Sequence, residues 1–331
     1  MLNIIAFIVY FILQISYSQL VCLPYYLIGN SRKGGNIAKK HLFWVFNPLY
    51  QIAFNSPIYY TGNYTKSNKI DIIIANHINT MDFVLIGSII RQFDNRNIYV
   101  IMKKQLVFLP GLGFITLSSP DIKLNRKMED DMDNIIRTIR KIKSGIILIM
   151  PEGTRYTPEK YQKAKEYSID NNLNIFKNTL YPKMKGIWLI CNILINENRM
   201  GNIIDLTLLL NNFRNKQTYM DVLLTNKLGD SLCIINSYVV PNGLSEYDNY
   251  KKWFLELWKK KDNLLDNMYT SSDKHMYSKL PMKSEPFEYL LAIVICSLFI
   301  YLIIKTKGVY LLLTFLITFI ITLIKYKLLK K

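Results

Sequence analysis

A histidine and an aspartate five residues apart, His77 and Asp82, are the pair in this chain best suited to moving a proton. A neutral imidazole has an ordinary pKa of about 6.5, so it can take a proton from an alcohol near neutral pH. A carboxylate on the other ring nitrogen would fix the tautomer and stabilise the imidazolium. His41 and His275 have no acid at that spacing. The spacing alone equally fits a histidine at the end of a strand beside an aspartate that caps a helix.

A second polar segment, Pro151-Glu152-Gly153-Thr154-Arg155, follows a short apolar run, as expected for a loop at the end of a buried strand. Gly153 lets the backbone approach a ligand, Thr154 adds a hydroxyl, and Arg155 adds a planar set of donors that suits a phosphate. The segment therefore predicts an anion pocket, although a turn with a surface salt bridge would have the same composition.

Together the two segments resemble the motifs of the glycerophospholipid acyltransferase family, which acylates glycerol 3-phosphate, lysophosphatidate and related lysophospholipids using acyl-CoA. The family's three blocks read NHINTMD, GLGFITLSSPDIKLNRK and MPEGTR in this chain, in the family's order. Residues 69–268 also resemble the branch of lysophosphatidate and lysocardiolipin acyltransferases, through TRYTPEKY, LYPKMKG and WFLELWKKKDNLL. Met150 and Met128 replace the usual Phe and Trp, which leaves substrate preference open more than activity.

The resemblance implies a role for each site residue. His77 would act as the general base on the lipid hydroxyl and Asp82 would orient it, while backbone amides near the first block would hold the oxyanion. Arg126 and Arg155 would bind the phosphate of the acceptor. The residues that would shape this pocket are Glu152, Gly153 and Thr154.

We therefore expect a membrane-bound 1-acylglycerol-3-phosphate O-acyltransferase, which converts 1-acyl-sn-glycerol 3-phosphate (lysophosphatidate) to phosphatidate in phospholipid biosynthesis. Acyl-CoA is expected as a co-substrate, with no cofactor and no metal. Another lysophospholipid, such as lysocardiolipin or lysophosphatidylinositol, stays open as the acceptor. A non-catalytic membrane lipid-binding protein is the alternative of a different class. A hydrolase is a third, although no G-x-S-x-G segment supports a serine esterase.

Composition and charge limit the partners of the chain. Half of its 331 residues are apolar, and 42 basic against 24 acidic residues give a formal net charge of +18. This charge suits nucleic acid, anionic lipid or a phosphorylated substrate, but no nucleic-acid-binding motif accompanies the lysines. The four cysteines are scattered without a C-x-x-C pair, so we expect no disulfide framework and a reducing compartment.

Apolar segments at both ends predict membrane attachment. No residue from Leu2 to Ile28 is charged, and the run can cross a bilayer of about 30 Å. A cleaved signal peptide is the alternative, but the basic start and the small-residue cleavage site are poor. A second apolar region, residues 287–324, is interrupted at Lys305-Thr306-Lys307-Gly308. It predicts a helical hairpin, with a re-entrant or a single tilted span still open.

Basic residues follow the first apolar segment and none precedes it, which predicts a catalytic domain facing the cytosol. These residues are Arg32, Lys33, Lys39 and Lys40. A membrane of the endoplasmic reticulum type is expected. Asn63-Tyr64-Thr65 is an acceptor sequon that tests the orientation, and we expect no glycan on Asn63.

Short apolar runs alternate with helical patterns, which predicts an α/β fold with a mixed sheet flanked by helices. The predicted strands are 71–75, 98–102, 146–150, 203–210, 221–224 and 232–240. The clearest helix begins near Met128, with acids in its first turn, and ends before Gly145. His77 and Glu152 both follow strands, so they can meet at one edge of the sheet.

These patterns divide the chain into four segments. They are an N-terminal membrane anchor (1–30), an acyltransferase catalytic domain (31–248), a C-terminal amphipathic helix with a linker (249–286) and a transmembrane hairpin with a basic tail (287–331). The helix predicted over 249–268 has one apolar face, and we place its lysines away from that face. They are Lys251, Lys252, Lys259, Lys260 and Lys261. Such a helix could lie on an anionic membrane surface, or close the domain with its lysines in solvent.

Overall fold

The computed structural model describes residues 18–41, 57–79, 82–109, 112–125, 128–210, 230–241, 243–270 and 277–281, with single residues between 290 and 320. The strands are β1 (Ile58–Gly62), β2 (Ile70–Ala75), β3 (Ile98–Lys103), β4 (Ile122–Leu124), β5 (Gly145–Ile149), β6 (Met200–Leu210), β7 (Ser231–Tyr238) and β8 (Ser278–Lys279). They form one sheet in the order β4-β3-β5-β2-β6-β7-β1-β8. The first five strands in this order, β4 to β6, run parallel to one another. β7 is antiparallel to β6 and parallel to β1, and β8 is antiparallel to β1. The predicted mixed sheet is confirmed.

The long apolar runs are strands as predicted. The predictions at 71–75, 98–102, 146–150, 203–210 and 232–240 are confirmed as β2, β3, β5, β6 and β7, with ends shifted by up to three residues. Residues 221–224 lie outside the described residues. The sequence patterns do not predict β1, β4 or β8, because runs of two to five residues carry too little periodicity.

Helices cover both faces of the sheet. They are α1 (Leu23–Leu27), α2 (31–41), α3 (Asp82–Phe93), α4 (Leu112–Ser118), α5 (Met128–Lys141), α6 (Pro158–Asp170), α7 (Lys185–Asn196) and α8 (Tyr247–Thr270). Side chains of a strand alternate between the faces, and β2 shows this clearly. Ile73 packs with α1 to α4, whereas Ile72 and Ile74 pack with α5, α7 and α8. The sheet is therefore buried between two helical layers, and the predicted helix that begins near Met128 is confirmed as α5.

A buried lysine fixes α2 to the sheet. The Lys39 ammonium donates to the Ile98 carbonyl (2.8 Å) and the Ser119 hydroxyl (2.6 Å), and it pairs with Asp121 at 2.8 Å. Burial lowers the pKa of Lys39, although the charge of Asp121 acts in the opposite direction. Lys39, one of the four basic residues used to predict the membrane orientation, therefore attaches α2 to the sheet.

The C-terminal helix α8 is part of the same folded unit. Tyr250, Phe254 and Trp258 are buried with α7 and the sheet, so α8 closes the domain. The placement of Lys261 on an outer face is wrong, because it lies three residues after Trp258 on the apolar face and is fully buried. β8 lies in the predicted linker and pairs with β1, so the boundary predicted at residue 249 falls inside one folded unit.

Within the described part of the chain, no helix is both long enough and apolar enough to cross a membrane. The predicted anchor (1–30) and hairpin (287–331) fall largely on residues outside the described ranges. Both segments stay predictions.

Candidate active site

The loop from β2 to α3 holds His77 and Asp82 at the carboxyl end of a central strand. His77 Nδ1 lies 2.9 Å from Asp82 Oδ2, and the same oxygen accepts the amides of Ile78 (2.6 Å) and Asn79 (2.9 Å). Because a carboxylate accepts hydrogen bonds, Nδ1 carries the proton in the neutral form of the ring, and Nε2 then keeps its lone pair. The His77 side chain keeps 23% of its exposure, so the ring is partly open to solvent. The pair has the geometry of a general base and its orienting acid.

Asn76 sets the point where this loop leaves the sheet. Its side-chain amide donates to the Leu208 carbonyl at 2.9 Å and accepts from the Leu208 amide at 2.8 Å. These two bonds imitate a main-chain pair, so β2 stays attached to β6 just beyond its last residue. No role for Asn76 is predicted from the sequence, although its place in the NHINTMD block is the signal that could have found it.

The two motif loops meet at the ends of the neighbouring strands β2 and β5, as predicted. The main-chain N–H of His77 donates to Glu152 Oε1 at 2.7 Å, and that of Leu180 donates to Oε2 at 3.1 Å. The Tyr156 amide donates to the His77 carbonyl at 2.8 Å. Glu152 is buried and each of its oxygens accepts a main-chain amide, which fits a residue that shapes the pocket. Direct contact of Glu152 with a substrate stays a prediction.

Burial raises the pKa of Glu152 to about 8, although the amides of His77 and Leu180 act in the opposite direction. The ordinary pKa of this carboxyl is 4.5, so between the two values the folded chain binds more protons here than the unfolded chain. The contribution of Glu152 to the free energy of unfolding therefore falls as the pH rises through this interval.

Glu152→Gln removes that titration. We expect the free energy of unfolding of the variant, relative to the wild type, to rise between pH 5 and pH 8, because only the wild type loses stability there. Urea unfolding of the full chain in detergent at both pH values measures the difference. Glu166→Gln, at an exposed carboxyl, is the matched control and should change far less with pH. An equal difference at both pH values would contradict the prediction.

The second loop presents positive charge to solvent. Gly153 has a φ of +67°, a left-handed conformation that favours glycine, and α6 begins just beyond with Thr157 as its N-cap. Arg155 is exposed, and the Lys160 ammonium donates to the Thr154 hydroxyl at 2.6 Å.

The side chain of a further lysine runs over the same loop. A Cβ placed on Gly153 would lie 3.4 Å from Lys183 Cδ and 3.6 Å from its Nζ. Lys160 and Lys183 therefore add two cations to this loop, at Thr154 and Gly153, that the sequence patterns do not identify. Neither lysine belongs to a local pattern that places it at this loop. The signal that could have found them is their position in TRYTPEKY and LYPKMKG, two of the segments that carry the family resemblance.

Arg126 lies outside the described residues, so its phosphate contact stays a prediction. Among the described residues, no group of three or more His, Cys, Asp and Glu side chains could hold a metal ion.

Comparison with known proteins gives a family model and relatives that are all named acyltransferases. Residues 57–182 match the family model described as Acyltransferase. A probable 1-acyl-sn-glycerol-3-phosphate acyltransferase 5 from Arabidopsis thaliana is 24% identical over 237 residues, covering 69% of this chain and 60% of the relative. Lysocardiolipin acyltransferase 1 from Gallus gallus is 23% identical over 233 residues, covering 68% and 61%. The chain thus spans about three fifths of the length of these relatives.

The crystal structure of the 1-acyl-sn-glycerophosphate acyltransferase PlsC from Thermotoga maritima covers 80% of this chain and 99% of its own, with 14% identity and a TM-score of 0.46. The matched segment 57–182 contains both motif loops, with His77 and Glu152 joined by a hydrogen bond. Residues 57–182 of this chain are therefore similar to the acyltransferase family.

Proposed function

We propose that this chain transfers the acyl group of acyl-CoA to the free hydroxyl of lysophosphatidate and so forms phosphatidate. The observation that carries the proposal is the 2.9 Å contact between His77 Nδ1 and Asp82, in a ring that stays partly exposed. The name of the relative from Arabidopsis thaliana, a probable 1-acyl-sn-glycerol-3-phosphate acyltransferase, supports this acceptor.

The geometry supports a single displacement at the thioester. His77 Nε2 takes the hydroxyl proton as the lipid oxygen bonds to the thioester carbonyl carbon, and Asp82 stabilises the imidazolium. When the tetrahedral intermediate collapses, the carbon–sulfur bond breaks and the imidazolium returns the proton to the CoA thiolate. General-base assistance of this kind contributes roughly 10²- to 10⁴-fold to the rate. A thioester is already activated, so no covalent acyl-enzyme is required.

The loop after β5 supports recognition of a phosphate. Arg155 offers a planar set of donors, and Lys160 and Lys183 add positive charge around Gly153. A phosphodiester would meet the same cations, and one relative is named a lysocardiolipin acyltransferase. Lysocardiolipin is therefore the second candidate acceptor.

The acceptor is a lipid, which supports the membrane attachment inferred from the apolar segments. We include in the proposal an anchor within residues 1–30 and spans within residues 287–331. The basic residues after the first segment support a catalytic domain on the cytosolic side of a membrane of the endoplasmic reticulum type.

The direct test uses purified membranes that carry the full chain, radiolabelled acyl-CoA and a panel of lysophosphatidate, lysocardiolipin and lysophosphatidylinositol. We expect labelled phosphatidate as the main product. Transfer to another lysolipid would replace the acceptor, whereas release of free fatty acid or no reaction would refute acyl transfer. Membranes from the same host without the chain provide the background.

Arg155→Ala should raise the acceptor KM by roughly 10- to 100-fold, because a hydrogen-bonded ion pair with the phosphate is lost from ground state and transition state alike. Arg155→Lys should recover part of the loss, since it keeps the charge but not the planar fork of donors. Steady-state kinetics with varied lysophosphatidate measure both. Lys163→Ala, at an exposed lysine of α6, is the control. A fall in kcat with an unchanged KM would argue against phosphate binding by Arg155.

A further inference from the structure

Helix α8 contacts the active site through the segment 177–180, although α8 lies beyond the residues that match the family model. Asp262 holds the first part of this segment. Its Oδ2 accepts the Lys177 amide at 2.9 Å, and its Oδ1 accepts the Asn178 amide at 2.8 Å and the Thr179 hydroxyl at 3.1 Å. Asp262 is buried, and so is its bond with the Thr179 hydroxyl.

Trp258, one turn earlier on α8, holds the end of the same segment. Its indole Nε1 donates to the Leu180 carbonyl at 3.1 Å. The amide of Leu180 donates in turn to Glu152 Oε2, and Glu152 Oε1 accepts the His77 amide. A continuous set of hydrogen bonds therefore leads from α8, through residues 177–180 and the carboxyl group of Glu152, to the main chain of the general base.

We propose that Asp262 is a positioning residue of the active site, which fixes residues 177–180 so that Glu152 keeps the His77 loop in place. The kinetic part of this inference rests on the proposed acyl transfer. The carboxylate of Asp262 bonds with residues 177–179, so its effect on His77 passes through Leu180 and Glu152.

The attachment of α8 to the sheet does not depend on Asp262. The preceding residue, Lys261, donates to the Leu206 carbonyl at 2.6 Å and pairs with Asp205 at 2.7 Å. Phe254 and Trp258 are fully buried against the sheet and α7. Loss of the Asp262 carboxylate should therefore loosen residues 177–179 while α8 stays docked, with Trp258 still bonded to Leu180 and Asp266 still bonded to Asn178.

The kinetic test compares Asp262→Ala with Asn263→Ala, at the exposed neighbouring residue of α8. Asp262→Ala should lower kcat/KM by about tenfold or more, and Asn263→Ala should not change it. If Asp262 acts through Glu152, the two changes are not additive, so Asp262→Ala combined with Glu152→Gln should be no slower than Glu152→Gln alone. Independent losses that multiply in the double variant would overturn the proposal, because a general loss of folding gives that result.

Hydrogen–deuterium exchange of the full chain in detergent tests the same link without turnover. Asp262→Ala should speed exchange in peptides that cover residues 177–180 and also in those that cover residues 76–79. Faster exchange at 177–180 alone would overturn the proposal, because the disturbance would then stop before Glu152. If the wild-type chain shows no acyl transfer, the proposed function is refuted. The exchange experiment would still decide whether Asp262 positions the His77 loop.

Discussion

His77→Ala should lower acyl transfer by roughly 10²- to 10⁴-fold, the contribution expected of a general base. The contacts that hold the loop in place use the main chain of this residue. Its N–H donates to Glu152 and its carbonyl accepts from Tyr156, and both bonds survive in alanine. Expression and membrane association should therefore stay at the wild-type level, so the loss can be assigned to chemistry.

Single-turnover transfer of labelled acyl-CoA to lysophosphatidate in purified membranes measures the effect. His41→Ala makes the same chemical change at a histidine outside the site and should retain activity. Turnover by His77→Ala close to that of the wild type would remove His77 as the base. Asp82→Asn is a useful companion, because it keeps the size of the side chain but loses the charge that stabilises the imidazolium.

Lys261→Ala should lower the free energy of unfolding by about 3–5 kcal/mol, the range expected when one partner of a buried ion pair is removed. The Lys261 ammonium lies 2.7 Å from Asp205 Oδ1, and both side chains are buried. It also lies 5.5 Å from the centre of the Trp258 ring, so a cation–π contact is lost as well. The variant leaves the Asp205 carboxylate buried without its partner.

Urea unfolding of the full chain in detergent measures this loss. Lys260→Ala, one residue away and exposed, should change the free energy of unfolding by less than about 0.5 kcal/mol. The double variant Lys261→Met with Asp205→Leu should recover much of the loss, because a well-packed apolar pair can replace a buried ion pair. A similar, small effect of Lys260→Ala and Lys261→Ala would show that the buried pair contributes little.

Local patterns predict the parts of the site that lie at strand ends. The isoleucine-rich runs of β2 and β5 identify buried strands, and both motif loops follow them directly. Since parallel neighbours end at the same edge of a sheet, the meeting of His77 and Glu152 follows from the sequence. The partner that fixes the other oxygen of Glu152, the Leu180 amide, is 28 residues away and has no local signature.

Contacts made by α8 show what the amphipathic pattern can and cannot predict. Lys261 follows Trp258 by three residues, so the helical period alone assigns it to the buried face. The prediction places it away from that face because its side chain is charged. Asp262 bonds with the Lys177 amide 85 residues away, and a hydrogen bond over such a separation leaves no periodic pattern. Hydrogen bonds of this kind can be identified only from the three-dimensional structure.

The buried Lys39 on α2 bears on where the reaction takes place. An ammonium that meets a carbonyl, a hydroxyl and a carboxylate at once tolerates little change in direction, so α2 cannot pivot on the sheet without breaking several bonds. If the chain before α1 enters a bilayer, as proposed, the tilt of the sheet and the height of the imidazole above the lipid surface are then set by the fold. Acceptors whose reactive hydroxyl sits at that depth would be preferred over those held deeper or further out.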